Sequence, residues 1–167
     1  GPHKHSQMPN SAETTKRRRE SSIEPEHMMQ EVIKTVRMQI LEGRLQAESW
    51  YQKLDEDARA QYRLSGRSLF HGLMTYVATN GAEAASESYA IGYEYASRAH
   101  RYSLNYVDAA RAFLFFRNVL IESVMKVYGD ANVPSGQTAE TFGKIHVFTD
   151  EILISLLQTY QSLNHNR

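Results

Sequence analysis

The sequence predicts an all-α protein, a single helical bundle of about five helices behind a disordered N-terminal arm. Three observations lead there. Apolar residues recur at spacings of three and four in successive blocks from Met29 onward, the period of a helix face. No segment alternates convincingly as a strand, and no internal repeat is visible. The longest periodic blocks run for about 24 residues, or about 36 Å as helix, which are a bundle's proportions.

Residues 1–24 are polar, contain Pro9 and the run Lys16-Arg17-Arg18-Arg19, and carry no period. They read as a disordered basic arm or linker. Gly1-Pro2 with His3 and His5 looks like the scar of a cleaved tag, so neither histidine enters a metal argument. The basic run would hold nucleic acid only weakly, because a few cations alone give salt-sensitive binding.

From Pro25, a residue suited to a first helical turn, Met29, Val32, Ile33, Val36 and Ile40 define the first helix. Gly43 weakens it, and Trp50, Tyr51 and Leu54 form an apolar knot. The second helix is expected over Asp55–Thr79, with Tyr62, Leu69, Leu73 and Val77 in one stripe and Asn80-Gly81 as its stop. The third, Ala82 to His100, puts Ala85, Tyr89, Gly92, Ala96 and Ala99 on one face, where small residues invite a neighbouring backbone. Asn105 followed by Asp108 resembles a capped helix start. That fourth helix is expected to run through Tyr128 and stop at Gly129. After Pro134-Ser135-Gly136 a fifth helix, about Thr138 to Leu163, would bury Phe142, Ile145, Ile152, Leu153, Leu156 and Tyr160. Residues 25–163 thus form one helical domain and 164–167 a tail.

Composition removes several function classes. Lysine plus arginine equals aspartate plus glutamate at 19 each, so no global field recruits nucleic acid or a membrane. Without cysteine there is no disulfide scaffold, thiol chemistry or cysteine-ligated metal. No apolar run approaches the roughly 18 residues of a membrane span. A cytoplasmic bacterial protein with no cofactor and no metal fits these facts, and the chain reads as one domain of a longer protein.

The segment Arg111 to Tyr128 carries the sharpest expectations. Phe113, Leu120, Val124 and Val127 centre an apolar face, and Arg117 falls in its middle. A charge there needs a partner, because an unpaired buried charge costs several kcal/mol. Glu94 or Asp150 could pair with it, an anionic ligand could bind it, or its stem could carry the head to the surface. Phe115 stands nearly opposite, among polar residues. With Val119 it is expected at a homodimer seam, the alternative being cover by the N-terminal helix of its own chain.

Tyr89, Tyr93 and Tyr95, with Tyr102 and Tyr106 beyond them, would close a seam between helices or line a pocket for a planar ligand. His146 and Asp150, four residues apart, are helix neighbours at the edge of an apolar face. They would form a polar seam pair or, in a third reading, a catalytic or metal-holding pair. His71 is expected in solvent, and His100 at the margin of its helix within reach of Tyr89, Tyr93 or water. No HExxH, paired Glu-x-x-His or glycine-rich phosphate loop occurs.

The stretches SWYQKLDEDARAQYRLSGRSLFHGLMTYV, IGYEYASRAHRYSLNYVDAARAFLFFRNVLIESVMKVY and IHVFTDEILISLLQTY together resemble a bacterial regulatory module. It is the helical N-terminal sensory domain of RsbT co-antagonist (RsbRD-type) proteins, histidine kinases and some transcription regulators. The resemblance implies a non-enzymatic signal-input and dimerisation domain that biases an attached or separate output domain. That output would be DNA-binding if the basic arm is its remnant. The alternative is a small-molecule or lipid carrier with a tyrosine-lined pocket, its candidate ligand-binding residues being Tyr89, Tyr93, Arg117, His146 and Asp150.

Overall fold

The computed structural model describes residues 27–79, 81 and 84–165. Pro25, the Lys16–Arg19 run, Asn80 and Ala82, on which parts of the sequence reading rest, lie outside them. The described residues form six α-helices and no strand: α1 (27–39), α2 (Ser49–Gln52), α3 (Glu56–Ala78), α4 (Ala84–Arg101), α5 (Tyr106–Asp130) and α6 (Ser135–His165). The sixth helix beyond the expected five is α2, a single turn made from the apolar knot.

Local chemistry sets most of the boundaries. α1 runs into a π-helical turn, Ile40–Arg44, where Gly43 at φ 89° kinks the chain. Only glycine takes that conformation without a steric penalty. Asp55 caps α3 by accepting from the Ala58 N–H at 2.9 Å, and Asn105 caps α5 by accepting from the Asp108 N–H at 2.8 Å.

Two stops use non-glycine residues. Ser103 at φ 60° ends α4, and the N–H groups of Ser103 and Leu104 donate to the carbonyls of His100 and Ala99 at 3.3 and 2.9 Å. Asn132 at φ 52° ends α5 in the same way, its N–H reaching Gly129 O while Val133 N–H reaches Tyr128 O. Gly129, the expected stop, therefore stays inside the helix. A short polar side chain lets asparagine serve as the left-handed residue instead. α6 begins at Ser135, earlier than the expected Thr138, and continues through His165 into the expected tail.

α5 is the central helix and packs against α2, α3, α4 and α6. Its buried arc runs from Phe115 through Val119, Ala112, Ser123 and Phe116 to Phe113 and Val124. The middle of that arc is occupied by Ala112, Ser123 and Phe116. Trp50 plugs one side of the core, its ring 5.2 Å from Tyr62, 6.2 Å from Phe115 and 6.3 Å from Phe116. Each such large ring removed from water contributes about 1.5–3 kcal/mol.

Among the described helices α4 packs extensively against α6. A β-carbon on Gly92 would lie 2.6 Å from Ser155 Cβ and 2.9 Å from the Ile152 carbonyl oxygen. The small residues of the third expected helix thus do admit a neighbouring backbone, with Ala96 and Ala99 buried on the same helix. Tyr160 ties the far end of α6 down by donating to Leu104 O at 2.7 Å.

Candidate functional site

α1 and α3 leave a groove between them with a volume of about 430 Å³. Its interior is apolar: Ile33, Val36 and Ile40 come from the α1 side, Phe70 and Met74 from α3, and Phe116 from α5. Gly66 lets the last of these reach the groove's floor, since a β-carbon there would strike the Phe116 ring at 2.7 Å, and the ring itself stays 1% exposed. The same aromatic residue that fills the middle of the core therefore also lines the groove.

The groove's edge is cationic. Arg63, Arg67 and His71 stand four residues apart along one exposed edge of α3, and Arg37 joins them from α1. Among the described residues no acidic side chain lines the groove. Like charges at this spacing on a helix repel, so the row is held without internal compensation along much of its length. Arg63 is partly engaged, donating to the Tyr51 hydroxyl at 2.5 Å and pairing with Glu56 at 3.4 Å. Arg37 and Arg67 make no hydrogen bond or ion pair among the described residues.

A second cleft, about 510 Å³, opens beside α2 and α5. Its charged lining is balanced, with Arg44 and Arg111 against Glu48 and Glu122, and Arg44 pairs with Glu122 at 2.5 Å. The four charges there sum to zero, and one arginine and one glutamate of them are paired.

The sequence-predicted residues fall elsewhere. Arg117 does not sit inside the bundle and reaches neither Glu94 nor Asp150. It is half-buried, and both of its hydrogen bonds go to the exposed Asn118 side-chain oxygen, at 3.4 and 3.2 Å. Ala109, Ala112 and Ser123 are buried and turn the centre of the α5 core face away from the expected one. With them included, Arg117 lies at the margin of the buried arc. Phe115 and Val119, expected at a dimer seam, are covered by their own chain, at 8% and 0% exposure. Phe115 packs on Trp50 and Phe116, so the cover comes from α2 rather than from α1.

Tyr89 and Tyr93 stack on each other at 6.5 Å and point outward from α4, away from both clefts. Tyr95 is the buried member of the cluster, edge-on to Phe113 at 5.3 Å. His146 and Asp150 are both exposed on α6 and share no hydrogen bond. The hydroxyl facing the core at that level belongs to Thr149, which donates to Ile145 O at 2.8 Å. His71 is exposed as expected, and His100 lies edge-on to Tyr160 at 6.4 Å.

The arginine that does enter the bundle is Arg98. It pairs with Glu94 at 2.8 Å, donates to Gln61 at 2.7 Å and also bonds the Ser65 hydroxyl. The i,i+4 spacing of Glu94 and Arg98 was visible in the sequence, but nothing in the spacing places that side of α4 against α3. Around this network burial pushes the Tyr62 hydroxyl well above its ordinary range, with Arg98 opposing, and burial does the same to Tyr95.

Among the described residues no group of three or more histidine, aspartate or glutamate side chains could hold a metal. Nor is any described helix long and apolar enough to cross a membrane. No known family, curated protein or solved structure matches the chain.

Proposed function

We propose that the chain is a non-enzymatic, ligand-responsive regulatory domain whose input site is the α1–α3 groove. The observation that carries this reading is the joint use of Phe116 by the groove and the core. A guest in the groove would rest on α5, the helix against which α2, α3, α4 and α6 pack. Its differential affinity for two packings of the bundle would bias an attached or separate output domain. The resemblance of the Trp50–Tyr160 stretch to RsbRD-type sensory domains suggests the same role in a bacterial stress-signalling or transcription-regulating protein of the cytoplasm.

A homodimer belongs to this reading, but its seam would lie away from Phe115 and Val119. Carriage of a small molecule or lipid remains the second reading, and the groove rather than the tyrosines favours it. A carrier would bind without any change in helix packing.

Native mass spectrometry of the purified chain, with a thermal-shift compound screen, tests the proposal. A retained or stabilising compound, lost in Met74→Trp, which fills the groove, supports it. A monomer that neither retains a compound nor is stabilised by one overturns it.

A further inference from the structure

The groove's chemistry narrows its ligand, an inference that rests on the groove being the input site. Three features bear on it together. The volume, about 430 Å³, falls within the small-molecule range. It is too small to seat several turns of an amphipathic helix. The interior offers aliphatic and aromatic carbon from Ile33, Ile40, Phe70, Met74 and Phe116. The edge offers two guanidinium groups, Arg37 and Arg67, with no partner among the described residues and no acidic neighbour in the lining.

An uncharged apolar ligand would leave those forks idle. A fully polar anion such as inorganic phosphate would leave the apolar interior wet. A molecule with an anionic head and one apolar chain uses both. A planar guanidinium binds a carboxylate or phosphate through paired N–H donors, and the two cations come from opposite walls. Closing them on one headgroup would draw α1 toward α3, and the kink at Gly43 is the joint about which α1 departs.

We propose that the α1–α3 groove binds a single-chain amphipathic anion, its head on Arg37 and Arg67 and its chain along Met74, Phe70 and Phe116. Carboxylate and phosphate heads share this chemistry, and the test separates them.

Isothermal titration calorimetry of the full chain would use octanoate, decanoate, decanol and decyl phosphate below their micelle concentrations, with the neutral dye Nile red as a probe of the apolar interior. The expected result is one site per chain. Each methylene added between octanoate and decanoate tightens binding about fourfold, as its removal from water implies. Decanol binds at least tenfold more weakly than decanoate. Arg37→Met and Arg67→Met each weaken decanoate about tenfold and leave decanol unchanged, while Arg117→Met alters neither. Tighter binding of decyl phosphate with the same arginine dependence upholds the proposal and makes phosphate the head. Equal binding of decanol and decanoate, or indifference to both arginine substitutions, overturns the anionic head and leaves the groove as an apolar site. Nile red binding that decanoate fails to displace overturns the anion inference alone. Absence of binding by every probe, Nile red included, overturns the groove as input site as well.

Discussion

Gly92 on α4 and Ser155 on α6 meet so closely that no other residue type fits at Gly92 without moving a helix. The nearest atoms include the Ile152 backbone carbonyl, which no rotamer change can relieve. Gly92→Ala should lower stability by about 1–3 kcal/mol, the usual effect of overpacking, despite alanine's better helix propensity. Gly143→Ala, on the same α6 but with nothing within 4 Å of its added carbon, should raise it by about 0.5–1 kcal/mol. Urea midpoints of the two variants read the comparison directly, and a stabilised Gly92→Ala would refute the close packing.

Ser103 takes a left-handed backbone that costs an L-residue about 1–2 kcal/mol. Ser103→Gly should therefore stabilise the chain by about 1 kcal/mol, and Ser103→Val should destabilise it. Thermal unfolding of both variants checks the sign. Equal melting temperatures would mean that α4 does not end in this conformation.

The Arg98–Glu94 pair should show coupling that the exposed Lys126–Asp130 pair lacks. Side-chain exposure is 18% and 27% in the first pair against 63% and 74% in the second. A double-mutant cycle on Arg98→Met and Glu94→Gln should give about 1–3 kcal/mol of interaction energy, and the same cycle on the other pair about 0–0.5 kcal/mol. Additive losses at Arg98 and Glu94 would remove the network as a structural element.

Tyr62 and Tyr95 should make the fold sensitive to alkali. Burial raises both hydroxyls above the ordinary value of 10.0, so they stay protonated in the folded chain where an unfolded tyrosine ionises. Their contribution is fully present below pH 10, and stability falls as pH rises above it. The slope reaches about 1.4 kcal/mol per pH unit for each ring. Among the described residues neither hydroxyl has a hydrogen-bond partner, so Tyr95→Phe should be neutral or stabilising by about 1 kcal/mol at pH 7 while flattening the alkaline slope. Urea titrations at pH 7 and pH 11 distinguish this from simple loss of packing, which would lower stability at both.

Much of the architecture was legible because local rules act within one helix. The Asp55 and Asn105 caps, the weak point at Gly43 and the small-residue face of α4 follow from side chains and their immediate neighbours. The candidate site was far less legible. Arg63, Arg67 and His71 form a regular row in the sequence, yet such a row reads as a solvated face until α1 is laid beside it. Arg117 falls amid the large apolar residues of α5, but alanines and a serine, which carry little hydrophobic signal, set the true centre of its core face. Phe115 looked exposed for the converse reason. Its cover, Trp50, lies on a turn of helix whose position depends on long-range packing and leaves no periodic trace.

Phe116 belongs to two structures at once, the interior of the bundle and the wall of a surface groove, because Gly66 covers it there with bare backbone and no side chain. The chain therefore has no inert layer separating the part that holds it together from the part that meets the outside. Substitutions that improve its packing will also reshape what it can recognise, and drift in recognition will be felt as a change in folding. Selection cannot adjust one of these properties of α5 while leaving the other alone.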